Sequence, residues 1–140
     1  MAQNNDEKAS EGWFKSTGFE GDVDTTAVVY RQSPTGSRGI TIYGIQPTAN
    51  GNSIGVEINF PNDAPLGPIL VPQPFPGDVI VAYFRQASSG QRTSYRAKNG
   101  VLELLAFDAQ RGFVSGKFNV LADVDGTGRS FEGSFDIHSV

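Results

Sequence analysis

The chain of 140 residues contains no cysteine and a single histidine, His138, close to its C-terminal end. The absence of cysteine excludes disulfide bonds, thiolate zinc sites and cysteine nucleophiles. One histidine at this position is a poor basis for a Ser-His-Asp triad or for a histidine-rich metal centre. The sequence therefore lacks several of the side chains on which catalysis commonly depends.

Long hydrophobic runs are also missing. No stretch reaches the roughly 18 apolar residues that a membrane-spanning helix needs, and residues 1–8 have no apolar signal-peptide core. We therefore predict a cytoplasmic protein, or an exported one if a signal sequence has been removed. The net charge of −4 argues against nucleic-acid binding, which needs a broad basic surface. Basic residues outnumber acidic ones only within residues 25–100, so an anion would bind there.

Glycine, aromatic residues and alternating strand patterns are abundant instead. Residues 116–120 and 133–137 repeat a pattern in which glycine precedes phenylalanine by two positions, and residues 123–129 between them are rich in Asp and Gly. Alternation on both sides of such a turn predicts an antiparallel β-hairpin. The glycines are expected to leave room for facing aromatic rings.

The same pattern continues along most of the chain and predicts an all-β fold. We expect residues 1–12 to form a flexible leader and residues 13–140 to form a single antiparallel β-sandwich of eight to nine strands with little helix. The predicted strands cover residues 13–19, 25–32, 38–46, 53–60, 78–87, 92–98, 101–108, 112–122 and 130–138. Turns at 88–91, 98–100 and 108–112 would make residues 78–138 a five-stranded C-terminal meander.

Six prolines between residues 61 and 76 predict an edge strand or an extended crossover loop, because proline cannot donate to a β-ladder. The segment 66–75 within it is apolar and includes Ile69, Leu70 and Phe75. It either seals one end of the core or, if exposed, contacts a partner protein or a membrane.

The predicted hairpin 78–98 carries the leading candidates for ligand binding. Its cationic and aromatic side chains could hold a carboxylate, a sulfate or a sugar, with tyrosine as a stacking platform. The alternative is an ordinary solvated sheet face. The candidate residues are Arg92, Arg96, Tyr95, Tyr83 and Arg85.

Two groups of carboxylates need separate consideration. Glu103 lies in an apolar strand, where a carboxylate must be paired, protonated or lining a cavity unless the strand edge is solvated. It could pair with an arginine such as Arg85 or Arg96, or act as an acid in a pocket. Asp123 and Asp125 resemble the start of a calcium loop, but the twelfth position of that loop is Ser134 rather than a bidentate carboxylate. Glu132 could still add a third carboxylate from a neighbouring strand. We expect a solvated turn there, no metal and no cofactor.

The last 45 or so residues, including the segments 95–104, 114–120 and 131–137, resemble a group of uncharacterised bacterial β-sandwich proteins of the lipoprotein type. The resemblance implies a sandwich ending in two strands of the same glycine–phenylalanine pattern. Members of this group are commonly lipid-anchored, whereas this acidic, cysteine-free chain lacks a lipidation cysteine. The resemblance implies no catalytic residue.

These observations favour a non-catalytic binding module over an enzyme. Its expected partner is a protein or a small anionic or carbohydrate ligand. Two alternatives remain: a membrane-active, toxin-like protein that uses residues 66–75, and a carboxylate-based hydrolase built around Glu103.

Overall fold

The computed structural model describes residues 10–32, 39–73 and 79–139, in which ten β-strands account for nearly all regular structure. The described ranges contain one short 3₁₀ turn, Ala49–Gly51, and no α-helix. The strands are β1 (Ser10–Ser16), β2 (Val23–Thr25), β3 (Val28–Gln32), β4 (Ile40–Pro47), β5 (Ser53–Phe60), β6 (Gly67–Val71), β7 (Ile80–Gln86), β8 (Arg92–Asp108), β9 (Phe113–Val124) and β10 (Thr127–Ser139).

The strands form one connected sheet in the order β2-β1-β10-β9-β8-β7-β5-β4-β3, and β6 is attached to β8 beside this path. Every pair of neighbouring strands is antiparallel. The predicted all-β fold class is therefore confirmed. There are ten strands where eight to nine were expected, mainly because the proline-rich segment contributes β6.

The C-terminal meander is present but has four strands, β7 to β10, instead of five. The turn predicted at residues 98–100 is wrong, because β8 runs without a break from Arg92 to Asp108. The Asn99-Gly100 pair lies at a β-bulge, where the pairing with β9 shifts register and Gly100 has φ +144°. Such a bulge accommodates an extra residue within one strand and bends it. Asn99 and Gly100, a pair that favours a turn, therefore bend a long strand in this protein.

The hairpin between β9 and β10 is confirmed. Asp125 and Gly126 connect the paired residues Val124 and Thr127 and have φ values of 55° and 83°. Positive φ at both central residues is the type I′ geometry, whose twist matches that of the flanking strands. Asp125 and Gly126 thus provide the backbone geometry that this hairpin turn requires.

The glycine–phenylalanine pattern has the expected packing role. Phe118 on β9 lies opposite Gly133 on β10, and Phe135 on β10 lies opposite Gly116 on β9. A Cβ on Gly133 would be 2.7 Å from Cζ of Phe118, and one on Gly116 would be 2.9 Å from Cζ of Phe135. Each ring therefore occupies the space above a glycine of the adjacent strand, inside the core.

The sheet curls until its two ends meet. Strands β2 and β3 lie at opposite ends of the sheet order, yet only two residues connect them. Ser10 Oγ on β1 accepts a hydrogen bond from the backbone N–H of Tyr30 on β3, with 2.9 Å between N and Oγ. At the same junction a Cβ on Gly44 of β4 would be 2.8 Å from Cγ of Phe14. The enclosed side chains form one hydrophobic core.

Strand β1 also corrects the predicted leader. Residues 10–12 belong to β1 and pair with the end of β10, because the C-terminal strand is long enough to hold them. Residues 1–9 lie outside the described residues. Strand β6 confirms the expectation of an edge position for the proline-rich segment, since it pairs with β8 alone.

Candidate functional site

The five candidate ligand-binding residues do not form one surface. The core-facing side of β7 and β8 carries Tyr83, Arg85 and Tyr95 near the turn that joins the two strands. Tyr83 is directly opposite Tyr95. Arg92 and Arg96 project from the other side of β7 and β8, because side chains alternate along a strand. Tyr83 is almost completely buried and its ring stacks on Phe131 at a centroid distance of 4.6 Å.

Arg85 is held by two carboxylates from distant parts of the chain. Its Nε and Nη2 donate to the two carboxylate oxygens of Glu20, with N–O distances of 2.9 and 3.1 Å. Its Nη2 also lies 3.0 Å from Oδ2 of Asp125 in the β9–β10 turn. The hydroxyl group of Tyr83 donates a short hydrogen bond to the same Glu20 carboxylate. Arg85 therefore ties the loop between β1 and β2 to the β9–β10 hairpin.

The pKa values in this cluster follow from burial and pairing. Burial by itself raises the pKa of Glu20, but the hydrogen bonds from Arg85 and Tyr83, together with the charge of Arg85, outweigh it and lower this pKa. Burial and the Glu20 carboxylate raise the pKa of the Tyr83 hydroxyl. The hydrogen bonds from Arg85 to Glu20 and Asp125 raise the pKa of the guanidinium group. At neutral pH the cluster thus contains a charged Arg85, two carboxylates and a neutral phenol.

Arg92 is engaged on the outer side of the sheet. Its Cζ lies 4.0 Å from the ring centroid of Phe84, and its Nη1 is 3.0 Å from Oε1 of Glu57. Its Nε also donates to the side-chain oxygen of Gln86 at 2.9 Å. Arg92 therefore covers Phe84 and stabilises the sheet. Arg96 is exposed and has no ion pair or hydrogen bond with another described residue.

A cleft of about 470 Å³ opens beside the Glu20–Arg85 pair. Its floor and walls come from the loop before β5, the turn between β7 and β8, and the adjoining ends of those strands. Six of its ten lining residues have hydroxyl or amide side chains, of which Gln86 Oε1 and Asn52 Oδ1 already accept hydrogen bonds from Arg92 Nε and the Ser88 N–H. The lining residues are Glu20, Thr48, Asn52, Ser53, Ile54, Arg85, Gln86, Ala87, Gln91 and Thr93.

The remaining predicted site residues occupy other places. Glu103 pairs with Lys117 on β9, with 3.8 Å between Oε1 and Nζ, and not with Arg85 or Arg96. The prediction of an arginine partner is wrong because Glu103 lies directly opposite Lys117 in the β8–β9 ladder. Glu103 also lines a smaller cavity of about 280 Å³ on the outer side of the sheet.

The three candidate calcium ligands are dispersed. Asp123 pairs with Lys98 and Asp125 pairs with Arg85, while Glu132 lies on the exposed side of β10. Within residues 10–32, 39–73 and 79–139, no group of three or more metal-ligating side chains occurs. His138 lies 3.2 Å from the Glu11 carboxylate at the pairing of β1 with β10.

The apolar segment 66–75 is partly buried. Ile69 points into the core and cannot contact a partner or a membrane, since alternate residues of β6 face the two sides of the sheet. Leu70 and Leu66 are exposed, by 71% and 60%. Phe75 lies outside the described residues. In the part of the chain that is described, no helix has the length and hydrophobicity to span a bilayer.

Sequence reasoning missed Glu20, Phe19 and Arg129, which complete the surroundings of Arg85. Phe19 contacts Tyr83 and Phe131, and the Cζ atoms of Arg85 and Arg129 lie 5.9 and 4.3 Å from its ring centroid. Glu20 is separated from Arg85 by 65 positions in the sequence. No local motif signals such a pairing.

Comparisons with protein-family models, with curated proteins and with solved structures give no match to this chain. The resemblance of the last 45 residues to bacterial lipoprotein-type sandwiches therefore stays a prediction.

Proposed function

We propose that the protein is a non-catalytic binding module whose ligand is a small carbohydrate held in the cleft beside Arg85. The observation that carries this proposal is the composition of the cleft wall, where hydroxyl and amide side chains surround a space of about 470 Å³. Such a volume is within the usual range for small-molecule sites. Side chains that both donate and accept hydrogen bonds suit the hydroxyl groups of a sugar.

The charge distribution favours a neutral ligand over an anion in this cleft. Arg85 is the cationic residue in its lining, and Glu20 and Asp125 already neutralise it. An anionic ligand would have to displace one of these carboxylates. The Glu20–Arg85 pair still offers a fixed acceptor and donor edge to a polyol.

The test compares two neighbouring positions on β8. Thr93 lines the cleft, while Ser94 is exposed on the opposite side of the same strand. Thr93→Val removes the hydroxyl group and keeps the shape, and Gln91→Ala removes a second polar group from the wall. Because a hydrogen bond contributes about 0.5–1.5 kcal/mol, each variant should weaken binding by roughly threefold to tenfold. Ser94→Ala should bind like the wild-type protein.

Binding would be measured by backbone amide shifts during titration with a panel of mono- and oligosaccharides, followed by calorimetry with the saccharides that shift them. The proposal expects the shifted amides to cluster around Ser53, Gln86 and Thr93. A panel that leaves these amides unmoved, or a binder that Thr93→Val and Gln91→Ala leave unaffected, would contradict it.

The exposed side chains of Leu66 and Leu70 favour partner contact as a second function. Together with Leu105, which is 55% exposed, they form an apolar strip along the β6 edge of the sheet. Solvent-exposed apolar strips of this kind are often contact surfaces.

A further inference from the structure

Arg129 on β10 differs from the other buried or half-buried cations. Its guanidinium Cζ lies 4.3 Å from the centroid of the Phe19 ring. Its side chain makes no ion pair and no hydrogen bond with any residue in the ranges 10–32, 39–73 and 79–139. Its Nε is buried and has no hydrogen-bond acceptor. The cationic head is thus stacked on one ring and has no carboxylate partner of its own among the described residues.

Other arginines of the same region show what a completed arrangement requires. Arg85 and Arg92 each combine a ring contact with a carboxylate within 3.0 Å. Arg96 also lacks a partner among the described residues, but it is exposed and its donors reach water. A guanidinium group stays charged in a protein, and burying a donor without an acceptor is costly. Arg129 is therefore the half-buried arginine whose surroundings lack an acceptor.

We propose that Arg129 and Phe19 form a binding site for an oxyanion, a carboxylate or phosphate group. A guanidinium group held over an aromatic ring uses its face for the ring and keeps its N–H groups at its edge. Those edge donors match two oxygens of a carboxylate or phosphate group. This site goes beyond the proposed function, because it requires neither the cleft nor a sugar.

The local charges limit the strength of this site. Glu20 and Asp125 form ion pairs with Arg85. Together these three residues carry one excess negative charge near Phe19. Arg129 balances this excess, so the surroundings have no net positive charge; the free oxyanion therefore binds weakly, and its binding falls as salt increases. A larger ligand that brings additional contacts would bind more tightly through the same group.

The experiment uses the full chain and the side-chain Nε–Hε signal of Arg129, observed by NMR. Inorganic phosphate and acetate are titrated in separate arms, and sodium chloride keeps the ionic strength constant so that screening does not change. The variants are Arg129→Gln, Arg129→Lys and, as a matched control for charge, Arg96→Gln. The melting temperature of each variant is recorded with and without each anion.

The proposal expects a saturable shift of the Arg129 Hε signal with one or both anions. Melting should rise with the anion in the wild-type protein and in Arg96→Gln, and this rise should be lost in Arg129→Gln. Arg129→Lys should lose most of it, since an ammonium group lacks the paired donors. A linear, non-saturating response in both arms, or an equal rise in Arg129→Gln, would overturn the site. The phosphate and acetate arms show which oxyanion it accepts.

Because the readout is on Arg129 itself, it remains decisive even if Arg129→Gln does not fold. The result is also independent of the cleft variants. Thr93→Val should lose sugar binding and keep the anion response. Arg129→Gln should lose the anion response and keep sugar binding.

Discussion

At the scale of single residues, the Glu20 carboxylate links the loop between β1 and β2 to strand β7. It accepts hydrogen bonds from Arg85 and Tyr83, which are more than sixty positions away in the sequence. Both partners are on β7, whereas Glu20 is on the loop between β1 and β2. The loop is therefore held to β7 most firmly when the Glu20 carboxylate is ionised.

Replacing Glu20 by Gln should make stability less dependent on acid. The folded-state pKa of Glu20 is lowered from its ordinary value of 4.5. A lowered pKa means that the carboxylate stabilises the folded state above pH 4.5, and that this contribution is lost as pH falls through the folded pKa. We expect Glu20→Gln to cost about 1 kcal/mol at neutral pH, since the pair is partly exposed. The difference from wild type should shrink as the pH falls below 4.5 and through the lowered folded-state pKa of Glu20.

Urea denaturation at a series of pH values measures this effect. Glu132→Gln is the control, because Glu132 is exposed and forms no side-chain ion pair with a described residue. It should leave both stability and its pH dependence unchanged. A constant difference between Glu20→Gln and wild type from pH 7 to acid would mean that ionisation of Glu20 does not matter.

Single residues also show why sequence reasoning could find only part of the site. Arg85 and Tyr95 were identified because they are close in sequence on adjoining strands. Their partners Glu20 and Asp125 reach them only through the curling of the sheet, and that curvature is not encoded in any local pattern. Arg92 was a candidate for the same reason, but no local pattern shows that its guanidinium group is already engaged by the Phe84 ring and the Glu57 carboxylate.

At the scale of elements, alternation predicted strands β4, β5, β9 and β10 to within a few residues. It succeeds there because one side of each strand is buried, which enforces a period of two. The prediction failed at Asn99-Gly100, because a bulge and a hairpin turn use the same residue types. For the proline-rich segment the prediction left an edge strand and a crossover loop open, because proline is compatible with both, and it gave no bounds for β6.

Strand β6 is protected against pairing with other chains by its prolines. Pro68 lies opposite Glu103 of β8 and has no N–H, so its nitrogen faces the free edge of the sheet. In an antiparallel ladder alternate residues face the same edge, so the N–H of Leu70 also faces the free edge. The apolar side chain of Leu70 is well exposed as well.

Pro68→Val should therefore promote self-association. It restores an edge N–H beside the exposed Leu66 and Leu70, and it creates a flat apolar edge of the kind that pairs with a second chain. We expect concentration-dependent dimers in sedimentation velocity experiments, with little change in the melting temperature of the monomer. Pro65→Val, just outside the strand, is the control and should stay monomeric. A monomeric Pro68→Val at every concentration would show that the prolines do not protect this edge.

At the scale of the whole molecule, the sheet is stabilised by the contact between its two ends. The core is enclosed only because β1 meets β3 and β4, which lie seven and six places away in the sheet order. Phe14 fills the space above Gly44 at this junction. The all-β class and the identity of the core could be predicted from alternation, whereas closure depends on these long-range contacts.

The hydrogen bond from the Tyr30 N–H to Ser10 Oγ offers a direct test of this closure. Strand β3 would expose that N–H at its free edge if the ends of the sheet separated, because β4 is its only ladder partner. Ser10→Ala leaves the N–H without its acceptor at a part-buried position, and it should cost about 1 kcal/mol. Amide exchange at Tyr30 should become roughly fivefold to tenfold faster, while exchange at the centre of β9 should change only as global stability does.

Ser130→Ala, at an exposed position of β10, controls for the loss of a serine hydroxyl in a strand. If Ser10→Ala lowers stability but Tyr30 exchanges at the wild-type rate, the bond is not what holds the ends together. In that case packing of Phe14 on Gly44 would have to close the sheet alone. Accelerated exchange at Tyr30 together with its β4 partner Ile42 would instead show that the junction opens as a unit, because one lost hydrogen bond then releases the whole edge.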